Sequence, residues 1–94
     1  MILIGREHIS RYIQQFPASR TALVMWHAIA ESAAWKSAAE AISCYPSIKF
    51  LTPKLAHFVL SEINCVVTAQ IAFNNGVLIV LAVSEANIPT KQQS

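Results

Sequence analysis

The stretch VVTAQIAFNNGVLIVLAV, residues 66–83, decides the fold that this sequence predicts. Apolar and more polar side chains alternate over residues 66–73, which is the period of a strand with one buried face. Asn75-Gly76 follows, and this dipeptide is typical of a two-residue type I′ turn with positive φ at both positions. Residues 77–83 are all apolar, as expected for a strand covered on both faces. The stretch therefore predicts an antiparallel β-hairpin.

Two further strands are predicted before this hairpin. Residues 2–4 form a short apolar run that ends at Gly5. Residues 55–60 have a strand pattern, and residues 61–64 are expected to form the turn that connects this strand to the next one. The last three strands therefore form an antiparallel meander, and the first strand is expected in the same sheet.

Two helices are predicted between the first strand and residue 33. In residues 6–15 the apolar side chains of Ile9, Tyr12 and Ile13 share one helix face, and Pro17 ends this helix. A second helix is expected from about residue 19 to residue 33. Its inner stripe consists of Leu23, Trp26 and Ala30.

A third, shorter helix follows a capping box. The Ser37 hydroxyl can accept from the N–H of Glu40, and the Glu40 side chain can reach back to the N–H of Ser37. The helix is expected to end at Tyr45-Pro46. The sequence thus predicts an α+β domain over residues 1–83, with two to three helices on one side of a small antiparallel sheet and a polar tail over residues 84–94.

Length and composition limit the function classes. The chain has 94 residues, of which 54% are hydrophobic and 13% charged, so it suits one folded domain and not a disordered chain. Seven lysines and arginines against five acidic residues, all of them glutamate, give a net charge of only +2. This excludes a strongly charged nucleic-acid platform. We expect so apolar a chain to cover its surface against itself or a partner.

The sequence shows no sign of a membrane or secreted protein. Its longest apolar run, residues 77–83, is far shorter than the ~20 residues that span a bilayer, and the first residues do not resemble a signal peptide. Cys44 and Cys65 are too few for a disulfide scaffold. We therefore expect a cytoplasmic protein with two buried thiols.

No strong catalytic or cofactor motif is present. The only two glycines, Gly5 and Gly76, cannot form a phosphate loop, and no HExxH or CxxC motif occurs. His27 and Glu31 stand four residues apart, which indicates a pair at the helix rim and not a metal site. We expect no metal and no cofactor. His57, on a predicted strand, is the one weak candidate for a catalytic residue, since an imidazole is suited to act as a general acid or base.

Four basic residues are candidates for RNA binding. RNA binding needs clustered positive charge, and Lys36, Lys49 and Lys54 are close enough in sequence to form a small patch, although scattered solvated lysines have the same pattern. Arg6 is the fourth candidate.

The N-terminal half resembles the HigB-type toxins of bacterial toxin–antitoxin systems, which belong to the RelE/ParE superfamily. The spacing matches without gaps from residue 2 to about residue 47. The matching residues are Ile4-Gly5-Arg6, Phe16-Pro17, Thr21-Ala22-Leu23, Trp26, Trp35-Lys36 and Tyr45-Pro46-Ser47. The predicted order of elements is similar to that fold as well.

This resemblance implies a metal-independent ribonuclease that cuts mRNA on the ribosome and is silenced by a bound antitoxin protein. In such chemistry the ribose 2′-OH attacks the adjacent phosphate, so the enzyme must orient the hydroxyl, neutralise the phosphorane and protonate the leaving oxygen.

The catalytic positions of the family are not matched. With Asn75-Gly76 as the register point, the strand arginine falls at Val66, the next basic position at Leu81, the histidine at Ala86 and the tyrosine at Pro89. None of these side chains donates to a phosphate or moves a proton.

Two functions remain in competition. One is a toxin-like protein with lost or weakened catalysis that keeps its antitoxin-binding surface. The alternative is an active mRNA interferase with a rewired site, formed by His57 with Arg6, Lys36, Lys54 and Lys91. A homodimer through the edge of the sheet is a further hypothesis.

Overall fold

The computed structural model describes residues 1–86. Within them a five-stranded sheet has the order β1-β5-β4-β3-β2, and three α-helices connect β1 to β2. The elements are β1 (Ile2–Ile4), α1 (Arg6–Gln15), α2 (Arg20–Ser32), α3 (Ala38–Cys44), β2 (Ile48–Phe50), β3 (Leu55–Leu60), β4 (Cys65–Ala72) and β5 (Val77–Glu85). Short 3₁₀ turns precede α2 (Pro17–Ser19) and follow β3 (Ser61–Ile63). The α+β fold that the sequence predicts is confirmed.

The meander of β3, β4 and β5 is antiparallel throughout, as expected. Strand β1 differs, because it pairs with β5 in the parallel direction, from Ile2 opposite Val77 to Ile4 opposite Ile79. Three helices and three strands separate β1 from β5 along the chain, so no hairpin imposes an antiparallel pairing. The edge strand β2 was not predicted, and it pairs antiparallel with β3.

The β4–β5 hairpin is confirmed, but the predicted two-residue turn is wrong. Strand β4 ends at Ala72 and β5 begins at Val77, which leaves a four-residue loop. Of the two predicted turn residues, only Gly76 has a positive φ, of 67°. The Asn75 N–H donates to the Ala72 carbonyl at 3.1 Å, so this turn closes two residues earlier than a type I′ turn centred on Asn75-Gly76 would.

Strand β5 is longer than expected, because it continues to Glu85 and contains a bulge opposite Thr68 and Ala69 of β4. The first two residues of the predicted tail therefore belong to the sheet. The remainder of that tail, residues 87–94, lies outside the described residues.

A cluster of aromatic rings holds the helices against one face of the sheet. Phe58 of β3 is fully buried, and its ring centroid lies 5.1 Å from that of Trp26, 5.6 Å from that of Tyr45 and 6.2 Å from that of Trp35. These rings come from α2, from the loop before α3 and from the end of α3. The predicted core stripes of α1 and α2 are buried in the same cluster. The helices thus form one layer, and the sheet forms the other.

The two cysteines differ in exposure. Cys65 at the start of β4 is fully buried as expected, but Cys44 is exposed at the end of α3, so the prediction of two buried thiols is wrong for Cys44. Helix α3 has only seven residues and buries Ala41 alone, which leaves its last residue in solvent.

No helix in residues 1–86 is long and apolar enough to cross a membrane.

Candidate functional site

The sheet face opposite the helices has no covering layer within the described residues. Because side chains alternate along a strand, each residue between two core residues points to this side. We call this surface the open face. Its aliphatic members are Ile2, Ile4, Leu55, Val59, Val66, Val77 and Ile79, and its other members are Lys49, His57, Thr68, Gln70, Ala72, Ala82 and Ser84. None of them belongs to the buried core.

The β1–β5 side of the open face is aliphatic. Ile4, Ile79 and Gln70 are direct neighbours across β1, β5 and β4. Ile2 and Ile4 keep 63% and 50% of their surface exposed. The solvated face of an antiparallel sheet is ordinarily polar, so this face has the composition of a surface that a partner covers.

The structure brings His57 and Lys49 together on the open face. His57 lies between Lys49 of β2 and Thr68 of β4 in directly opposed positions, which places neighbouring Cβ atoms about 5 Å apart. His57 is half-buried and Lys49 is exposed. Among the described residues, neither side chain makes a hydrogen bond or an ion pair within the chain.

Lys36 and Lys54 occupy a different place, at the β4–β5 turn. Both line a depression of about 380 Å³ together with Phe73, Asn74 and Asn75. A larger depression of about 720 Å³ adjoins it and shares Lys36 and the three turn residues. We call these two connected depressions the hairpin-end cleft. The basic patch predicted from Lys36, Lys49 and Lys54 is therefore split, because Lys49 lies on the open face.

Arg6 lies away from both surfaces. It lines a depression of about 230 Å³ between α1 and α2, together with Arg20 and His27. His27 Nδ1 lies 3.8 Å from Glu31 Oε1, so the predicted pair at the helix rim is confirmed. In the described part of the chain no group of three or more His, Cys, Asp or Glu side chains could hold a metal ion.

An acidic depression lies at the opposite end of β4 from the hairpin-end cleft. Glu62 and Glu85 line it beside the rings of Tyr12 and Phe16, and its volume is about 510 Å³. Burial raises the pKa of Tyr12 above its usual value, and the nearby Cys65 and Glu85 raise it further. Burial also raises the pKa of the Cys65 thiol, to about 11. A thiol with so high a pKa stays protonated and inert near neutral pH.

The positions at which the family resemblance would place catalytic residues carry no reactive group. Val66 lies on the open face beside Val59 of β3, and Leu81 lies at the bulge of β5 with 43% of its surface exposed. Ala86 is the last described residue, and Pro89 and Lys91 lie outside the described part of the chain.

The sequence did not indicate the hairpin-end cleft. Phe73, Asn74 and Asn75 were assigned to a strand and a tight turn, and only the four-residue loop brings them beside Lys36 and Lys54. The signal that could have suggested the cleft is the pair Asn74-Asn75. A two-residue turn at Asn75-Gly76 needs only one asparagine, so the second one indicates a longer loop.

Comparison with known proteins leaves the function open. No protein-family model matches the chain, and no curated protein matches its sequence. The resemblance of residues 2–47 to HigB-type toxins therefore stays a prediction.

Proposed function

We propose that this chain is a toxin-like protein of the HigB/RelE type, with lost or weakened ribonuclease activity, that binds a partner protein through its open face. The observation that carries the proposal is the group of aliphatic side chains on the β1–β5 side of that face. Ile4 and Ile79 stand next to each other in the register of β1 and β5, where a solvated sheet would have polar side chains.

The positive charge of the open face indicates that its partner carries acidic residues. Lys49 is the one permanently charged group among its described residues, and His57 beside it adds positive charge when protonated. Two copies of this surface would bring like charges together, whereas a different protein could place carboxylates against them. The partner we propose is therefore a second protein with an apolar segment flanked by acidic residues, and an antitoxin is the example that the resemblance implies.

The size of the open face requires a partner that extends beyond it. Five strands spaced ~4.8 Å apart and about six residues long form a rectangle of roughly 400 Å². One side of a standard protein interface covers ~800 Å². The partner must therefore also contact the rim, where Leu51 exposes 56% of its surface just beyond β2.

Weakened catalysis is the second part of the proposal. RNA cleavage needs groups that stabilise a phosphorane and move protons. Val66 and Leu81 stand at the matched positions, and neither side chain can donate a hydrogen bond or carry a charge. Such a surface suits protein binding better than phosphate chemistry.

The binding experiment is co-expression of the full chain with the polypeptide encoded by the adjacent reading frame, followed by co-purification. We expect Ile4→Lys to lower the yield of the complex at least tenfold. Met25→Lys is the matched control, because Met25 is also apolar and 58% exposed but lies on the outer side of α2. Loss of the complex with the control alone, or with neither variant, would refute docking on the open face.

The activity experiment is inducible expression of the chain in bacteria, with growth, soluble protein and mRNA ends followed together. We expect normal growth and intact messages at good soluble yield. Growth arrest with new cuts inside translated messages would show that the chain is an active ribonuclease.

The adjacency of His57, Lys49 and Thr68 favours one alternative, an mRNA interferase with a rewired site. His57 would exchange the proton and Lys49 would contact the phosphate. In that case His57→Ala lowers cleavage by roughly a hundredfold or more, whereas His8→Ala on α1 leaves it unchanged. Cleavage that survives His57→Ala would eliminate this alternative.

A further inference from the structure

The hairpin-end cleft gathers four polar side chains that the fold does not use. Within residues 1–86, the side chains of Lys36, Lys54, Asn74 and Asn75 make no hydrogen bond or ion pair inside the chain. All four line the smaller depression of the cleft. Two lysines and two asparagines thus stand around one space of about 380 Å³.

The cleft is positively charged. Neither depression has a glutamate among its lining residues. The carboxylate of Glu40 accepts the backbone N–H of Lys36 at 2.9 Å. Two lysines with no opposing carboxylate in the lining attract an anion, and amide N–H groups are suitable donors to its oxygens.

The walls of the cleft are fixed by backbone hydrogen bonds. The Lys54 carbonyl accepts from the Ile71 N–H at 2.8 Å, and the Lys54 N–H donates to Thr52 Oγ1 at 3.2 Å. Across the cleft, the Gly76 carbonyl accepts from the Ile2 N–H at 2.8 Å. The side chains therefore project from ordered backbone, which reduces the entropy lost when a ligand binds.

The larger depression adds an apolar, partly aromatic wall. Trp35 and Phe73 line it, and its volume of about 720 Å³ lies within the range of sites that bind small molecules. Phe73 packs against Phe50 at 6.3 Å between ring centroids, so its ring is held in place. A ligand that fills both depressions needs a flat apolar group on one side and an anionic group on the other.

We propose that the hairpin-end cleft binds a free mononucleotide. The phosphate lies between Lys36 and Lys54 and accepts from the amides of Asn74 and Asn75, while the base packs against Phe73 in the larger depression. A nucleic-acid strand is a poorer ligand, because it needs a continuous basic track, whereas Lys49 lies on the open face and Arg6 between α1 and α2. The cleft shares Ile2 and Ala72 with the open face, but the nucleotide proposal does not require that the open face binds a partner.

Backbone NMR of the full chain, titrated at low ionic strength with adenosine 5′-monophosphate, tests the proposal. We expect the largest shifts at residues 36, 54 and 73–76, and weaker binding of adenosine and of inorganic phosphate than of the nucleotide. Shifts centred on Lys49 and His57, or no shifts up to 10 mM nucleotide, would refute the site. A uridine decamer that binds the cleft more than tenfold tighter than the nucleotide would refute the choice of a free ligand.

Three variants locate the binding groups. The double variant Lys36→Gln with Lys54→Gln is expected to weaken nucleotide binding at least tenfold. Lys49→Gln changes the net charge but not the cleft, and it is expected to weaken binding less than twofold. Phe73→Leu is expected to weaken binding of the nucleotide but not of inorganic phosphate. A loss of affinity with Lys49→Gln equal to that with the double variant would show a general charge effect and no site.

Discussion

Gly5 joins β1 to α1 at a φ of 90°, in the left-handed region. A Cβ at this position would clash with the carbonyl oxygen of Val80 in β5. Position 5 therefore excludes side chains for two reasons, the backbone conformation and the approach of a neighbouring strand. Gly76 has a similar φ of 67°, but a Cβ there meets no atom within 4 Å. A comparison of alanine substitutions at Gly5 and Gly76 therefore separates the free-energy cost of the left-handed backbone from that of the steric clash.

We predict that Gly5→Ala lowers the free energy of unfolding by at least about 3 kcal/mol, because the left-handed conformation costs ~1–2 kcal/mol and the clash adds to it. Gly76→Ala is expected to cost only about 1 kcal/mol. Urea denaturation of the two variants measures both values. Equal losses would show that β5 moves away from Gly5 at no cost.

Because of Cys65, we expect the free energy of unfolding to fall at alkaline pH. Burial raises the pKa of its thiol from 9.0 to about 11, so the folded state holds the proton more tightly than the unfolded state. Its contribution to stability is therefore complete below pH 9 and is lost as the pH rises towards 11. At ~1.4 kcal/mol per pH unit, we predict a loss of as much as about 2 kcal/mol over this range.

Denaturation at pH 8 and pH 10.5 checks this prediction. Cys65→Ala is expected to reduce the difference between the two pH values, and the buried Tyr12 and the half-buried Tyr45, whose pKa values are also raised, account for what remains. Cys44→Ala is the control, because Cys44 is exposed. An unchanged difference in Cys65→Ala would show that the thiol has no part in it.

Single residues also show what the sequence could predict. The buried stripe of Leu23, Trp26 and Ala30 follows from helical periodicity alone, because one face of α2 must leave water. The conformation of Asn75 does not follow from its type. Asn-Gly permits two positive φ values, but the loop between β4 and β5 is longer and requires only one, at Gly76.

Among the elements, α3 depends most on its cap. The Ser37 hydroxyl accepts from the Glu40 N–H at 3.3 Å, as the capping box predicts. The Glu40 carboxylate accepts from the N–H of Lys36, one residue before the predicted partner. A helix of seven residues has too few internal hydrogen bonds to form alone, so its ends and its packing against Phe58 through Tyr45 hold it.

We predict that Ser37→Ala lowers the free energy of unfolding by about 1 kcal/mol, since the Glu40 N–H in the first turn loses its acceptor. Ser43→Ala is the matched control within α3. Ser43 is exposed and caps nothing, so alanine there is neutral or slightly stabilising. Thermal unfolding followed by circular dichroism measures both variants. A cost for Ser43→Ala equal to that for Ser37→Ala would contradict the capping role.

Strand β2 is an element that sequence patterns could not predict. Its three residues, Ile48–Phe50, are too few to show a period, and the strand exists because β3 offers it an unpaired edge. The parallel direction of β1 has a similar origin, since β5 determines it through pairing and not through a local turn. Both features are tertiary, so no local signal predicts them.

For the whole molecule, the sheet separates two environments. Aromatic side chains and three helices cover one face, while the open face and the two clefts at the ends of β4 meet solvent. The basic hairpin-end cleft and the acidic depression lie at opposite ends of this eight-residue strand, about 26 Å apart. The sequence predicted the two layers correctly, because the spacing of apolar residues along a helix or strand shows which of its faces is buried. The clefts depend on residues from distant segments, so composition and spacing did not reveal them.

Both sheet edges are short, which affects the predicted edge-to-edge homodimer. Strands β1 and β2 have three residues each, so an added strand would gain few hydrogen bonds. We predict that the purified chain sediments as a monomer at micromolar concentration. A dimer at this concentration would contradict the prediction and favour edge pairing instead.

Two consecutive residues of β5 test the two-layer arrangement directly. Leu78 points into the core and is fully buried, whereas Ile79 points to the open face. We predict that Leu78→Ala lowers the free energy of unfolding by about 2–5 kcal/mol, because it leaves a cavity under the helices. Ile79→Thr keeps a β-branched side chain in the strand and is expected to cost less than about 1 kcal/mol.

The same two variants separate folding from binding. Ile79→Thr is expected to reduce both partner binding and the fluorescence of a hydrophobic dye on the folded chain. It replaces the aliphatic side chain that lies next to Ile4 on the open face with a polar one. Leu78→Ala, studied under conditions in which it stays folded, is expected to leave both unchanged. A large stability cost for Ile79→Thr would mean that another part of this chain covers the open face, and the partner would then have to bind elsewhere.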